Sequence, residues 1–123
     1  MIAKEDIKAI IFDWGRTLYD KENDKLFPES LEVVEYCFKK YKNLAIVSLA
    51  VDSDIEGRFK QVEKNDLRKY FKLVLFHSSD KDTMYRNAVG NLNVKPENIL
   101  VVDDRTVRLQ WPNFHGCQTI WLE

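Results

Sequence analysis

The sequence has 123 residues, of which 45% are hydrophobic and 32% are charged, and its formal net charge is −1. This balance is typical of a folded globular protein and argues against a disordered chain. The 19 basic side chains form no basic stripe, and no apolar run approaches the roughly 20 residues of a membrane-spanning helix. We therefore expect neither nucleic acid nor a membrane as the main partner.

The length predicts a single domain over residues 1–123. Residues 1–6 lack the pattern of a signal peptide, which favours a cytoplasmic protein. Cys37 and Cys117 lie far apart and have no metal-ligand spacing, so we expect both thiols to be reduced and structural.

The first predicted element is the largely apolar run of residues 7–12, which Asp13 follows. A short run without polar alternation is typical of a strand that is buried on both faces of a parallel sheet. A carboxylate at the end of such a strand lies in the crevice where open α/β sheets bind ligands. The alternative is an aspartate that only begins a turn. The charged segment 19–25 follows, and its composition predicts an exposed loop.

Helix and strand then alternate through the middle of the chain. Pro28 suits the first turn of a helix, and apolar residues at helical spacing predict its buried face: Leu31, Val34, Cys37, Phe38 and Tyr41. The run 44–48 predicts a second buried strand, which ends in Ser48. A weaker helix over 51–65 precedes a third strand over 73–76.

The second half repeats this alternation. A helix begins near Lys81, and one of its faces is apolar: Met84, Tyr85, Ala88, Val89 and Leu92. The run 99–102 predicts a fourth strand, which Asp103 and Asp104 follow. A short helix from about residue 105 ends near Pro112, and residues 119–122 form a last strand. Such alternation predicts a three-layer α/β sandwich around a parallel sheet of about five strands.

Polar side chains follow the predicted strands, and in a parallel sheet these strand ends meet at one edge. The groups concerned are two carboxylate positions, a hydroxyl and an ammonium: Asp13, Asp103–Asp104, Ser48 and Lys81. Phosphoryl transfer through a covalent aspartyl intermediate needs this set. One carboxylate attacks, Mg²⁺ bridges carboxylates and phosphate, and the hydroxyl and ammonium neutralise the transferring group.

The order of these groups resembles the haloacid-dehalogenase-like (HAD) superfamily over nearly the whole chain. Phe12–Leu18 is similar to the first motif of that superfamily, DxDGTL, and Ile46–Ser48 is similar to the second. Lys81 matches the third motif, Val101–Asp104 the fourth, and residues 116–121 the closing turn and strand. The chain looks like a small member without a cap, close to the magnesium-dependent phosphatase branch. The implied fold is the Rossmann-like sandwich predicted above.

The resemblance implies a role for each matching residue. Asp13 would be the nucleophile, Ser48 and Lys81 would hold the phosphoryl oxygens, and Mg²⁺ would bind to Asp13, Asp104 and the Gly15 carbonyl. Substrate contacts would come from Trp14, Thr17, Ser48, Leu49 and Lys81. From the residues alone, other interpretations remain open: a strand-end hydroxyl for Ser48, a solvated lysine for Lys81, and a core aromatic for Trp14.

Three positions depart from the superfamily pattern. Gly15 stands where family phosphatases have the aspartate that protonates the leaving group, and Arg16 stands at the motif's glycine. Loss of a general acid costs about 10²–10⁴-fold, so it slows a reaction without abolishing it. Arg108 replaces an acidic residue of the fourth motif. It either holds an anionic group of the substrate or points away from the site.

Two functions are compatible with this pattern. The first is a Mg²⁺-dependent hydrolase that acts on a phosphorylated small molecule or a phosphoprotein. The second is a degenerate relative that binds a phosphorylated ligand or a protein partner without turnover. The spacing between Asp13, Ser48 and Lys81 leaves no room for an inserted cap domain. An open site of this kind suits a large substrate, or a homodimer in which the second subunit covers the crevice.

Overall fold

The computed structural model describes residues 7–121. The expectation about a leader rests on residues 1–6, and the predicted last strand ends at Leu122. Both lie outside this range. The strands within it are β1 (Ala9–Phe12), β2 (Tyr19–Asp20), β3 (Lys25–Leu26), β4 (Leu44–Leu49), β5 (Leu73–His77), β6 (Ile99–Asp103) and β7 (Gln118–Trp121). The helices are α1 (Ser30–Tyr41), α2 (Ile55–Lys64), α3 (Lys81–Leu92) and α4 (Gln110–Phe114).

The central sheet has five parallel strands in the order β5-β4-β1-β6-β7. The predicted α/β fold with a five-stranded parallel sheet is therefore confirmed. Strand β1 lies in the middle, where an uninterrupted apolar sequence is needed because both faces are covered. Phe12 pairs with Ile46 of β4 on one side and with Val102 of β6 on the other. This register brings the carboxyl ends of the three central strands level with one another.

Alternate residues of β1 enter two separate cores, as the two-residue period of a strand requires. Ile10 and Phe12 pack on the side of α1 and α2. Ala9 and Ile11 pack on the opposite side, against apolar residues of α3 that include Met84. The two cores give the predicted three layers and fix the sheet between its helices.

The segment 19–25, predicted as an exposed loop, is exposed from Lys21 to Lys25 but is flanked by two short paired strands. Strands β2 and β3 form an antiparallel hairpin, in which Tyr19 pairs with Leu26. The Tyr19 ring is only 3% exposed and stacks on Trp14 with a centroid distance of 5.2 Å. The loop prediction holds for residues 21–25, which are exposed. It fails at Tyr19, because the aromatic ring has an apolar surface to bury.

Three helix predictions also need correction. The short helix expected to end near Pro112 is a 3₁₀ turn at Thr106–Leu109 followed by α4, which continues through that proline to Phe114. Leu31 was expected on the buried face of α1, but it is 42% exposed. Ser30 takes the buried position of the first turn, because its hydroxyl donates to the Leu18 carbonyl at 2.7 Å. The predicted helix over 51–65 begins as a 3₁₀ turn at Asp52–Asp54, and α2 follows it. In the described part of the chain, no helix has the length and apolar character needed to cross a membrane.

Candidate active site

Asp13 lies directly after β1 and is almost completely buried. Its backbone N–H donates to the Val102 carbonyl at 2.9 Å, which continues the pairing of β1 with β6 by one residue. The Thr17 hydroxyl lies 3.4 Å from Asp13 Oδ2, and Lys81 Nζ lies 3.1 Å from Asp13 Oδ1. The carboxylate is therefore fixed at both oxygens by neighbouring donors.

Lys81 is the first residue of α3, and its side chain is 4% exposed. The helix begins there because the Asp80 side chain accepts the Thr83 N–H at 2.8 Å, a standard N-terminal cap. The ammonium contacts Asp13 and also lies 2.8 Å from Asp103 Oδ2. The interpretation of Lys81 as a solvated helix-start lysine is therefore wrong. A buried cation between two carboxylates offsets the cost of removing their charges from water.

Tyr85 completes this buried network. Its hydroxyl donates to Asp103 Oδ2 at 2.8 Å. Burial raises the pKa of Asp103, but the charge and hydrogen bond of Lys81, together with the Tyr85 hydroxyl, hold that pKa below its ordinary value. Burial and the Asp103 charge raise the pKa of Tyr85 strongly, so the phenol keeps its proton. The sequence analysis placed Tyr85 only on an apolar helix face. The clue was its position four residues after Lys81, since a buried tyrosine hydroxyl needs a partner.

The carboxylates of Asp13, Asp103 and Asp104 offer oxygens that all lie within 4.8 Å of one another. Burial and the neighbouring Asp103 and Asp13 carboxyl groups raise the pKa of Asp104 to about 6. Asp13 and Asp104 line the adjacent pocket, whereas Asp103 Oδ2 accepts from Lys81 and Tyr85. Hard oxygen donors suit Mg²⁺, and a divalent cation would relieve the repulsion at Asp104. The residues present therefore fit the metal that the HAD resemblance implies.

The pocket beside these carboxylates has a volume of about 110 Å³. Its lining includes Ser48, Leu49 and Gly15 as well as Asp13 and Asp104. The strand ends thus bring the predicted hydroxyl and metal ligands into one cleft. Lys81 lies behind the pocket wall and reaches the site through its contact with Asp13.

Trp14 is not a wall of this pocket. Its side chain is 1% exposed, its ring stacks on Tyr19, and its indole N–H donates to Gln61 Oε1 at 2.9 Å. The expected substrate contact is therefore wrong for the indole, which has a partner in the core. Thr17 is also buried, and its hydroxyl faces Asp13. The structure thus gives Thr17 a contact with the predicted nucleophile.

The turn after Asp13 carries both departures from the first motif. Gly15 does not have a positive φ, but Arg16 does, at 67°. The Arg16 N–H donates to the Tyr19 carbonyl at 2.8 Å, so the turn closes despite the absent glycine. A β-carbon on Gly15 would lie 2.8 Å from Lys21 Cδ. The Lys21 methylene chain therefore occupies space beside Gly15 at the pocket edge.

The remaining lining residues are cationic, which the sequence analysis did not anticipate as a group: Arg16, Lys21, Arg58, Arg105 and Arg108. The interpretation in which Arg108 points away from the site is wrong, since its side chain lines the same pocket as Asp13. Charge composition gave no signal of this cluster, because these residues are scattered between positions 16 and 108. Only the fold brings them together.

Comparison with known proteins supports the same assignment. The sequence model of the family described as mitochondrial PGP phosphatase matches residues 1–123. No curated protein has a sequence that matches the chain significantly. Among solved structures, a HAD-superfamily hydrolase from Ehrlichia chaffeensis has a TM-score of 0.77 at 17% identity, and the match covers 94% of this chain and 87% of that protein.

Two further structures show the same fold. A haloacid dehalogenase-like hydrolase from Streptococcus pneumoniae has a TM-score of 0.80 at 14% identity, with 97% of this chain and 86% of that chain covered. The N-terminal part of a Bacteroides fragilis protein, described as containing a phosphatase domain complexed with Mg, has a TM-score of 0.75 at 15% identity. That match covers 95% of this chain and 36% of the other. Together with the family model over residues 1–123, these folds confirm the superfamily predicted from the four motifs.

Proposed function

Because this chain belongs to the mitochondrial PGP phosphatase family, we propose that it hydrolyses a phosphate monoester with Asp13 as the nucleophile. The observation that carries this proposal is the position of the Asp13 carboxylate, which lies at the floor of an open pocket while Lys81 Nζ lies 3.1 Å from one of its oxygens. In this proposal an oxygen of that carboxylate is the attacking group.

The proposed reaction has two steps. An oxygen of the Asp13 carboxylate attacks phosphorus, and the bond from phosphorus to the ester oxygen breaks with departure of the alcohol as its anion. Water then attacks phosphorus, and the bond from phosphorus to the carboxylate oxygen breaks. Inorganic phosphate leaves, and the Asp13 carboxylate is regenerated. The Ser48 hydroxyl, in the lining of the same pocket, would donate to a phosphoryl oxygen. Lys81 would offset negative charge next to the attacking group throughout.

Asp13, Asp104 and the Gly15 carbonyl are the groups that would hold Mg²⁺. When bound, the ion would supply charge neutralisation of the phosphoryl oxygens. Support comes from the clustered oxygens and from the raised pKa of Asp104. The Bacteroides fragilis relative is described as complexed with Mg, and a structural neighbour from Bacillus subtilis is described as bound to magnesium.

The substrate would be a phosphorylated small molecule or a phosphoprotein, and a homodimer remains a prediction from the open pocket. The segment between β1 and β4 holds the β2–β3 hairpin and α1, which supports the prediction of a site without an inserted cap domain. The family description names mitochondria, whereas the sequence favoured the cytoplasm. The cytoplasmic location therefore stays a prediction.

Phosphate release from phenyl phosphate and from acetyl phosphate, with Mg²⁺ and with a chelator, tests the proposal. Both substrates have leaving groups that depart as stable anions, so the test does not need a general acid. We expect hydrolysis with Mg²⁺ and none by Asp13→Asn. The control is Asp82→Asn, which changes an exposed aspartate on α3 and should behave as the wild type. Unchanged hydrolysis by Asp13→Asn would place the nucleophile elsewhere.

The absence of an acidic side chain at Gly15 favours the second candidate, a protein that binds a phosphorylated ligand without turnover. Inorganic phosphate and phenyl phosphate would then bind to the folded wild type, while neither ester would be hydrolysed over many hours. Calorimetry on the same preparation distinguishes this outcome from a protein that does not bind phosphate at all.

A further inference from the structure

Two carboxylates compete for the buried ammonium at the back of the site. Lys81 Nζ lies 3.1 Å from Asp13 Oδ1 and 2.8 Å from Asp103 Oδ2. We propose that Tyr85 is a positioning residue that holds Lys81 on Asp13, because its hydroxyl donates to Asp103 and weakens the attraction of that carboxylate for the ammonium. This inference rests on the proposed function, in which Lys81 offsets negative charge beside the attacking group.

The hydroxyl of Tyr85 and the ammonium of Lys81 share one acceptor atom. Both lie 2.8 Å from Asp103 Oδ2. An ionised carboxylate can only accept hydrogen bonds, so the phenol is the donor. The partial positive charge of its hydrogen therefore lies beside the oxygen that the ammonium contacts. This charge reduces the electrostatic attraction between Lys81 and Asp103.

Burial makes this competition strong enough to set the position of the ammonium. The side chains of Asp13 and Asp103 are 1% and 0% exposed, and that of Lys81 is 4% exposed. Tyr85 is also fully buried. Hydrogen bonds and charges act more strongly in such surroundings than in water. Without the hydroxyl, the balance of attraction on Lys81 would shift from Asp13 toward Asp103.

The aromatic ring of Tyr85 makes a separate contact with the same ammonium. Tyr85 lies four residues after Lys81 in α3, so the two side chains lie on one face of the helix. Lys81 Nζ lies over the ring, 5.2 Å from its centroid, within the range of a cation–π contact. Phenylalanine would keep this ring and remove only the hydroxyl. The substitution Tyr85→Phe therefore isolates the hydrogen bond to Asp103.

A purely structural role for the hydroxyl would have a different kinetic consequence. A hydroxyl that only stabilises the core changes how much protein is folded, and it leaves the turnover of each folded molecule unchanged. Tyr85 does not line the pocket at Asp13, so it has no direct contact with a bound substrate. A positioning role therefore affects kcat through Lys81, with little effect on KM.

Hydrolysis of phenyl phosphate at saturating Mg²⁺ tests this difference. Tyr85→Phe should lower kcat about 10-fold, the magnitude expected for one hydrogen bond to a charged group. KM should change by less than about two-fold. Tyr70→Phe is the matched control, because it removes a hydroxyl that donates to the Glu35 carboxylate at 2.9 Å and does not line the pocket. Circular dichroism and thermal unfolding would show that both variants are folded at the assay temperature.

A second substitution removes the charge that competes for Lys81. In the double variant Tyr85→Phe with Asp103→Asn, the neutral amide attracts the ammonium less than the carboxylate does. Its kcat should therefore exceed that of Tyr85→Phe alone. With a merely structural role, a second change in the buried network would add to the damage. A folded double variant that is slower than Tyr85→Phe would count against the inference.

A crystal structure of Tyr85→Phe gives a readout that does not depend on turnover. Lys81 Nζ should keep its contact with Asp103 and lie beyond about 3.5 Å from Asp13 Oδ1. An unchanged contact with Asp13, or a wild-type kcat in Tyr85→Phe, would overturn the inference. If the wild type hydrolyses neither phenyl phosphate nor acetyl phosphate, the proposed function fails. The distance in the crystal then decides separately whether Tyr85 positions Lys81.

Discussion

Lys81 and Asp103 form a buried ion pair in which Nζ lies 2.8 Å from Oδ2, and the same ammonium lies 3.1 Å from Asp13 Oδ1. One cation therefore joins the carboxyl ends of β1 and β6. The two carboxylates are 1% and 0% exposed. Removing the cation would leave both charges in a medium that solvates them poorly.

We expect Lys81→Met to lower the free energy of unfolding by about 3–5 kcal/mol, the usual cost of breaking a buried pair from one side. Urea denaturation at pH 7 measures this loss. Lys72→Met, at an exposed lysine, should change stability by less than about 0.5 kcal/mol. Lowering the pH should restore part of the free energy of unfolding that Lys81→Met loses, because protonation removes the charges of the two buried carboxylates. A loss below 1 kcal/mol would mean that water reaches the pair in the absence of the lysine.

The charge of Lys81 stabilises the folded protein, whereas the charge of Asp104 destabilises it. Burial and its acidic neighbours raise its pKa to about 6 in the folded protein, above the ordinary value of 3.8. Between these two values the folded state binds more protons than the unfolded state, so the contribution of Asp104 to stability falls as the pH rises from 4 to 6. Above pH 6 the ionised group is a net cost.

Asp104→Asn should therefore stabilise the metal-free protein at pH 7 by about 1–2 kcal/mol, after allowance for partial solvent screening, and should do so much less at pH 4. Thermal unfolding with a chelator at the two pH values measures the difference. In the wild type, Mg²⁺ should raise the Tm, and the substitution should remove most of that increase. A variant that loses stability at pH 7 without metal would contradict this account of the Asp104 pKa.

Arg16 pays a conformational cost, since its φ of 67° lies in the left-handed region that disfavours side chains with a β-carbon. Arg16→Gly should raise the free energy of unfolding relative to Arg16→Ala by about 1 kcal/mol, the usual cost of this conformation. Both variants remove the exposed pair with Glu22, so their difference isolates the backbone effect. Equal stabilities in urea would show that the turn relaxes in the alanine variant.

Gly15→Asp should restore an acid beside the leaving group. The wild type, which lacks one, should cleave aryl and acyl phosphates far faster than alkyl phosphates. The substitution should raise alkyl ester hydrolysis by up to about 10²-fold, the lower end of general acid catalysis. Since φ at Gly15 is not positive, the backbone accepts the side chain, but the Lys21 methylene chain must move away from the new β-carbon.

Gly15→Asn is the matched control, because it has the same size and cannot donate a carboxylic proton. Rate measurements on ethyl and phenyl phosphate, with Mg²⁺ binding checked for each variant, separate the acid from the steric effect. Similar rates of alkyl and aryl cleavage by the wild type would mean that another group supplies the proton. This account of Gly15 would then be wrong.

Much of the architecture could be predicted because the strands are short apolar runs that end in polar residues. Residues 9–12 before Asp13 have no polar alternation, as expected of a strand that pairs on both sides in a parallel sheet. The hairpin over residues 19–26 could not be predicted, because the ring of Tyr19 that begins it stacks on Trp14. That contact depends on the turn between them and has no periodic signature.

The site was predicted less completely than the fold. The motifs indicated which strand ends meet, but not which oxygen faces which donor. Asp103 and Asp104 are adjacent in sequence, but Asp103 ends β6 and Asp104 lies just after it. Asp103 lies inward with Lys81 and Tyr85, while Asp104 lines the pocket. For Trp14 the sequence analysis made a different error. It predicted a substrate contact for an aromatic beside the nucleophile, but the indole N–H donates to Gln61.

The contact between Lys81 and Asp13 joins residues that are 68 positions apart in the chain. No short peptide from this sequence can hold the two groups together, so the pocket forms only when the central strands have paired. A ligand that binds there binds the folded chain and not the unfolded chain. By mass action, its binding therefore raises the free energy of unfolding of the whole sheet. Occupancy of the pocket should therefore slow hydrogen exchange of the backbone amides in β5, which has no residue in that pocket.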